Sequence, residues 1–381
     1  MSVLSTNREE RAFEIGFCLA ILSFGLATGA VAQNAAVPNY VKPCSRVHVF
    51  YYPWYCNPQT DGAYAHWSMG QFVKEGKARQ YPGGEDIAAN FYPKLGCYSS
   101  NSAGDIAAHM RMLRRAGVGT ICTSWWGIGD YSDKVVPKLL DGASEHGVKV
   151  CFHIEPFPGR NATTTREAVV TIIDQYGSHP AFYRHGAGWG RPMFYVYDSY
   201  LTPAKEWATV LSPEGRNSIR GTRYDSIVIG LWVKQREEAF MLEGGFDGFY
   251  TYFATEGFTY GSTPANWAKL ARWAQRHDKL FIPCVGPGYD DTRIRPWNGR
   301  NTRSRENGAY YDREFETALA ADPEIIGVTS FNEWHEGTQI EPAVPKQIPG
   351  YEYEDYRPRE PEYYLDRTRY WVERFISTGG R

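Results

Sequence analysis

Strand-like and helix-patterned segments alternate along this chain, and that alternation constrains the fold more than any other feature. Short apolar runs fall at 46–52, 119–125, 148–155, 193–198, 227–233, 248–253, 280–285 and 325–331. Each is rich in Val, Ile, Tyr or Phe and bounded by Gly, Pro or Asp, as strands are. Helical spacing fills 103–115, 135–145, 165–176, 203–211, 235–242, 264–276, 305–320 and 362–375. In the first of these, Ile106, Met110 and Leu113 share one face at i, i+4 and i+7, the period of an amphipathic helix. Eight strands alternating with eight helices predict an α/β fold, a single (β/α)8 TIM barrel over 46–381. A doubly wound open sheet is the competing architecture, but no Gly-rich nucleotide fingerprint follows the first strand.

The barrel reading turns loops and strand ends into a map. In such barrels the active site forms where strands run into helices. Two of those loops are long: about fifty residues after the first strand and about twenty after the seventh. They carry Trp54, Tyr55, His66 and Trp67, then Tyr289, Arg295 and Trp297. The strand ends hold Tyr52, Trp126, Glu155, Tyr195, Tyr252 and the run Asn332-Glu333-Trp334-His335-Glu336. Composition acquires meaning here. Twelve Trp, 27 Tyr and 19 Phe make 15% of the chain. Trp and Tyr pair an apolar face with a polar tip, which suits sugar rings. With 41 basic and 43 acidic residues, no basic field favours nucleic acid.

Glycosidic cleavage needs an acid for the leaving oxygen and a second carboxylate at the anomeric side. Glu333 and Glu336 stand three apart, so on a helical turn they share a face. Like charges that close raise one pKa and leave one carboxyl protonated. Glu155 supplies a third carboxylate. Glu333, His335 and Glu336 are also metal-ligand types, but neighbours on opposite faces do not converge and no HExxH spacing occurs, so no metal or other cofactor is expected. Asp290-Asp291 leaves a metal-dependent glycosyltransferase as an alternative, and a glycan-binding barrel without turnover is another.

At the N-terminus, 15–32 is uncharged and ends in Ala30-Val31-Ala32. It reads as a cleaved signal peptide or as a membrane anchor near the lower length limit for spanning. Residues 33–45 read as a short linker, and the remainder enters the secretory route, as a Golgi type II protein or as a secreted or periplasmic one. Asn161-Ala162-Thr163 is a glycosylation sequon. Six cysteines follow the leader; Cys44–Cys56 and Cys56–Cys97 bridges are both open. The chain is expected to be a monomer.

Several motifs together resemble glycoside hydrolase family 99, the endo-α-1,2-mannosidases. They are VHVFYYPWYCNPQTDG, FYPKLGCYSS, FHIEP, YGSHPAFYR, FYVYDSYLT, GFDGFYTYFATEGFTYGS, VGPGYDDTRIRPWN and FNEWHEGTQIEPAVPK. They span essentially the whole expected barrel. The resemblance implies a retaining endo-acting enzyme that cuts α-1,2-linked mannose in high-mannose N-glycans or mannans. The product would be glucosyl-mannose or mannosyl-mannose. It implies attack by the substrate's own 2-hydroxyl, giving a 1,2-anhydro sugar without a glycosyl-enzyme. Glu333 would assist deprotonation of that hydroxyl, and Glu336 would protonate the leaving oxygen and later activate water. Glu155, Trp126, Tyr252, Tyr52, Tyr195, His66, Asn332, Arg295 and Trp297 would bind the oligosaccharide. Trp126, where vertebrate members carry Tyr, resembles the members that favour mannose in the distal subsite.

Overall fold

The computed structural model describes residues 42–73, 76–188 and 190–378. The leader expected at 1–32 and most of the linker lie outside the described residues. Eight barrel strands are present: β1 Cys44–Tyr51, β2 Val118–Trp125, β3 Lys149–Ile154, β4 Arg191–Val196, β5 Ile227–Leu231, β6 Gly248–Tyr250, β7 Leu280–Ile282 with Cys284–Val285, and β8 Ile326–Val328. All neighbouring pairs are parallel. The first half of β7 pairs with β6 and its second half with β8, so the ring closes through a strand interrupted at Pro283. Proline has no N–H to give. Its carbonyl still accepts from Gly327, and the next N–H, of Cys284, goes to the Thr251 hydroxyl.

Among the described residues, besides a four-residue helix Pro58–Asp61 in the first long loop, eight helices return the chain: α1 Ala103–Arg115, α2 Tyr131–Glu145, α3 Ala162–Tyr176, α4 Ala204–Leu211, α5 Glu238–Glu243, α6 Trp267–Arg276, α7 Ala309–Ala320 and α8 Tyr363–Ser377. Two begin earlier than hydrophobic spacing alone predicts. Asp130 caps α2 by accepting from Ser132, and Asn161 caps α3 by accepting from Thr163 and Thr164. A capping side chain satisfies orphan N–H groups one turn ahead of the first apolar residue. The sequon asparagine is therefore a helix cap. The first strand also starts earlier, at Cys44, inside the expected linker; the Cys44 N–H bonds the Gly117 carbonyl.

Side chains at i and i+2 of a barrel strand stack inward in layers. On β1 and its end these are His48, Phe50 and Tyr52. Phe50 packs against His153, Tyr195, Tyr250 and Tyr252 with ring centres 4.9–5.8 Å apart. The barrel is thus plugged by aromatic rings, and only the uppermost layer meets the mouth. The six described cysteines are free thiols. No described helix is long and apolar enough to cross a membrane.

Candidate active site

The carboxylates rest on a single turn. After β8, Glu333 caps the 3-10 turn Trp334–Glu336, and its side chain accepts from the His335 N–H at 3.2 Å. The expected helical face is thus one tight turn with Glu333 as its cap. Gly337 ends the turn at φ 62°, with the Asp290 carbonyl 2.8 Å from where a Cβ would stand. That opening lets the Asp290 N–H bond the Glu336 carbonyl at 2.9 Å. Four hydrogen bonds anchor the turn below. Asn332 exchanges hydrogen bonds with the Tyr52 backbone at 2.8 and 3.0 Å, and Tyr55 Oη bridges the Asn332 carbonyl and the Trp334 N–H.

Burial sets the electrostatics. The Glu333 side chain is 5% exposed and that of Glu336 is 24%. Desolvation raises the Glu333 pKa well above the usual carboxylate value, and the Glu336 charge raises it further. Desolvation also raises that of Glu336, while Arg295 opposes the rise. Arg295 Nη1 lies 2.9 Å from Asp291 and 3.4 Å from Glu336. Two neighbouring carboxyls that each disfavour charge titrate as a pair, the charge on one opposing the charge on the other. His335 Nε2 donates to the His66 carbonyl, 2.7 Å away, and burial pushes its pKa down to about 4. It is therefore neutral and occupied.

Glu155 stands at the end of β3, 4% exposed. One of its oxygens accepts from Ser124 at 2.8 Å and meets His153 Nδ1 at 2.9 Å; His153 in turn meets Tyr250 Oη at 2.6 Å. Tyr52 and Tyr252 join hydroxyl to hydroxyl, and Glu333, Glu155 and Glu336 all act on the Tyr52 phenol, which burial already keeps protonated. The three carboxylates and the two tyrosines thus share one site. Tyr252 holds φ 53°, an uncommon conformation for a bulky residue and one concentrated at functional sites. Trp126 is half-buried beyond β2, with its indole N–H enclosed and unpaired. His66 stacks flat on Trp54, ring centres 4.6 Å apart at 2°, and burial lowers its pKa to about 3. It is a neutral aromatic wall.

Four expected sugar contacts are placed differently. Tyr195 is fully buried one layer down, its hydroxyl 2.8 Å from His48 Nδ1. Tyr197, one inward position higher, reaches the mouth 4.9 Å from Tyr252. Asn332 is fully buried, and its amide is spent on the Tyr52 backbone and the Tyr98 hydroxyl; it positions the turn. Arg295 faces Glu336 and Asp291. Trp297 stands exposed on the 3-10 turn Pro296–Asn301 at the rim. Sequence reasoning missed Tyr197, whose only signal was its alternation with Tyr195.

The acid pair Asp290-Asp291 is spent on structure. Asp291 is fully buried among Tyr289, Arg295 and Asn298, and Asp290 accepts from Asn90 and Thr292. Among the described residues no group of three or more His, Cys, Asp or Glu is arranged to hold a metal ion.

Comparison with known proteins follows the same geometry. The sequence model of Glycosyl hydrolase family 99 matches residues 44–377. A glycoprotein endo-alpha-1,2-mannosidase of Xenopus laevis is 49% identical over 356 residues, covering 89% of this chain and 78% of that protein. One of Rattus norvegicus is 48% identical, covering 86% and 74%. The solved GH99 endo-alpha-mannosidase of Bacteroides thetaiotaomicron superposes with a TM-score of 0.86 at 50% identity, covering 88% of this chain and 99% of that one.

Proposed function

The chain belongs to glycosyl hydrolase family 99 and is an endo-acting mannosidase, and we propose that it cleaves α-1,2-mannosidic bonds through Glu333 and Glu336. The observation that carries this reading is the carboxylate pair on one turn, Glu333 buried and Glu336 partly so, beside the joined hydroxyls of Tyr52 and Tyr252. Burial raises the pKa of both carboxyls, Glu333 the more strongly, while Arg295 opposes the rise at Glu336. A weakly acidic sugar hydroxyl calls for a base of raised pKa, and a poor leaving group calls for an acid still protonated near neutrality.

In the first step Glu333 takes the proton of the 2-hydroxyl while that oxygen attacks the anomeric carbon. The bond to the leaving oxygen breaks, and Glu336 gives that oxygen its proton. A 1,2-anhydro sugar and a shortened glycan result. In the second step water opens the three-membered ring; Glu336 takes the water's proton and Glu333 returns one to the 2-oxygen. Two inversions give net retention. The attack is intramolecular, which removes much of the entropic cost. His335, neutral and bonded to the His66 carbonyl, holds the backbone between the two acids.

The substrate is an oligosaccharide with an internal α-1,2-mannose link, in a high-mannose glycan or a mannan. Trp126 favours mannosyl-mannose over glucosyl-mannose as the released disaccharide. The chain acts as a monomer on the secretory route, directed there by 15–32. Defined glycans capped by glucose or by mannose test the reading. Release of a disaccharide from both, faster from the mannose-capped one, is expected; equal rates would remove the role of Trp126, and single-sugar release would contradict endo action.

A further inference from the structure

A fourth carboxylate lies behind the catalytic turn. Glu341 is fully buried, five residues beyond Glu336. A buried carboxylate is costly unless paired and hydrogen-bonded, and each Glu341 contact runs toward the turn or away from it. Its Oε2 accepts from Trp334 Nε1 at 3.0 Å and from Tyr98 Oη at 2.8 Å. Tyr98 Oη also receives Asn332 Nδ2 at 3.1 Å and lies 3.2 Å from Trp334 Nε1. Indole and amide nitrogens only donate, so the Tyr98 proton must point at Glu341. On the far side, Glu341 Oε1 lies 3.3 Å from His109 Nε2, close but without hydrogen-bond geometry, both side chains 1% exposed, and His109 Nδ1 meets Tyr51 Oη at 2.9 Å. The Glu341 backbone is clamped as well: its N–H bonds the Phe331 carbonyl and its carbonyl accepts from Tyr356.

Trp334 and Asn332 are the two neighbours of Glu333 in the chain. Glu341 holds the first directly and the second through one hydroxyl, its side-chain hydrogen bonds going to Trp334 and Tyr98. We propose that Glu341, backed by His109 and linked through Tyr98, is a positioning residue that fixes the angle at which Glu333 and Glu336 leave their turn. This rests on the assignment of those two glutamates to the chemistry. The hydrogen bonds from Trp334 and Tyr98 to one Glu341 oxygen tie the turn to a buried anchor, and small displacements of reacting groups are costly, on the order of 100-fold per ångström.

The test uses Glu341→Gln, which keeps shape but replaces one acceptor oxygen by a donor, and Tyr98→Phe, which keeps the ring and removes the link to Asn332. Each is assayed on one defined α-1,2-mannoside, with folding checked by circular dichroism. The expected result is a kcat loss of about 10- to 100-fold for each, KM within threefold of wild type, and a double variant less damaged than the product of the two. Glu314→Gln is the control, because Glu314 is a buried carboxyl on α7 outside this network; its kcat should not move. Wild-type kcat in a folded Glu341→Gln or Tyr98→Phe overturns the proposal, as does a fully multiplicative double variant. Should Glu341→Gln fail to fold, Tyr98→Phe decides alone. Loss of the catalytic assignment would show separately, as retained activity in Glu333→Gln.

Discussion

Arg295 lies 3.4 Å from Glu336, and Asp291 at 2.9 Å helps hold it there. The charge lowers the Glu336 pKa against the rise caused by burial. Removing it should let that pKa climb further. The alkaline limb of a pH–kcat profile reports the group that must be protonated. Arg295→Gln should therefore move that limb upward by about one unit, with Arg295→Lys falling between. A limb that stays in place would detach Arg295 from the acid.

Glu333 costs the fold stability. Its folded pKa is raised above the unfolded one by burial and by Glu336. Below the unfolded value both states hold the proton and the difference vanishes. As pH rises from there toward and through the folded value, the unfolded state releases its proton first, and stability falls. Glu333→Gln should abolish hydrolysis of the α-1,2-mannoside yet raise stability by about 1 kcal/mol at pH 7–8. The gain should disappear below about pH 4. Thermal midpoints at both pH values check this, and a lowered midpoint at pH 7 would contradict it.

Tyr252 holds its ring at φ 53° and shares its hydroxyl with Tyr52. Tyr252→Phe leaves the Tyr52 hydroxyl without that partner beneath the carboxylates. A buried unpaired hydroxyl costs about 1–3 kcal/mol, so the thermal midpoint should fall. The kcat/KM should fall with it by about tenfold. Unchanged kinetics would mean the hydroxyl pair only packs the mouth.

The architecture was legible because strand and helix periods are local. All eight strands appear where Val, Ile, Tyr and Phe cluster between Gly, Pro and Asp. The regular strands are shorter than the apolar runs: β6 stops at Tyr250 and β8 at Val328, although the residues beyond β8 stay buried and the Thr329 and Phe331 N–H groups still bond the Val285 and Phe50 carbonyls. Depth inside the barrel was not legible at all. Tyr195 and Tyr197 alternate identically in sequence, and only the stagger between neighbouring strands decides that the first meets His48 and the second meets Tyr252. Asn332 and Glu341 were equally opaque. A polar residue beside a catalytic one looks like a ligand contact, and nothing in the sequence shows that both side chains turn inward to hold backbone and indole.

Asp290 and Asp291 are already engaged by Asn90, Thr292, Arg295 and Asn298. Chelation should therefore leave turnover unchanged. Assay with excess EDTA, followed by added divalent cation, checks it. Loss of activity restored by the metal would favour the transferase alternative.

The central claim is the division of labour between Glu333 and Glu336, and leaving-group dependence tests it most directly. With Glu336→Gln, hydrolysis of an α-1,2-mannoside that leaves as a sugar alcohol should fall by about 100- to 10,000-fold. A mannosyl fluoride of the same donor, which needs no proton on departure, should lose far less. Equal losses on both substrates, or near-normal hydrolysis of the sugar-leaving substrate, would contradict the account.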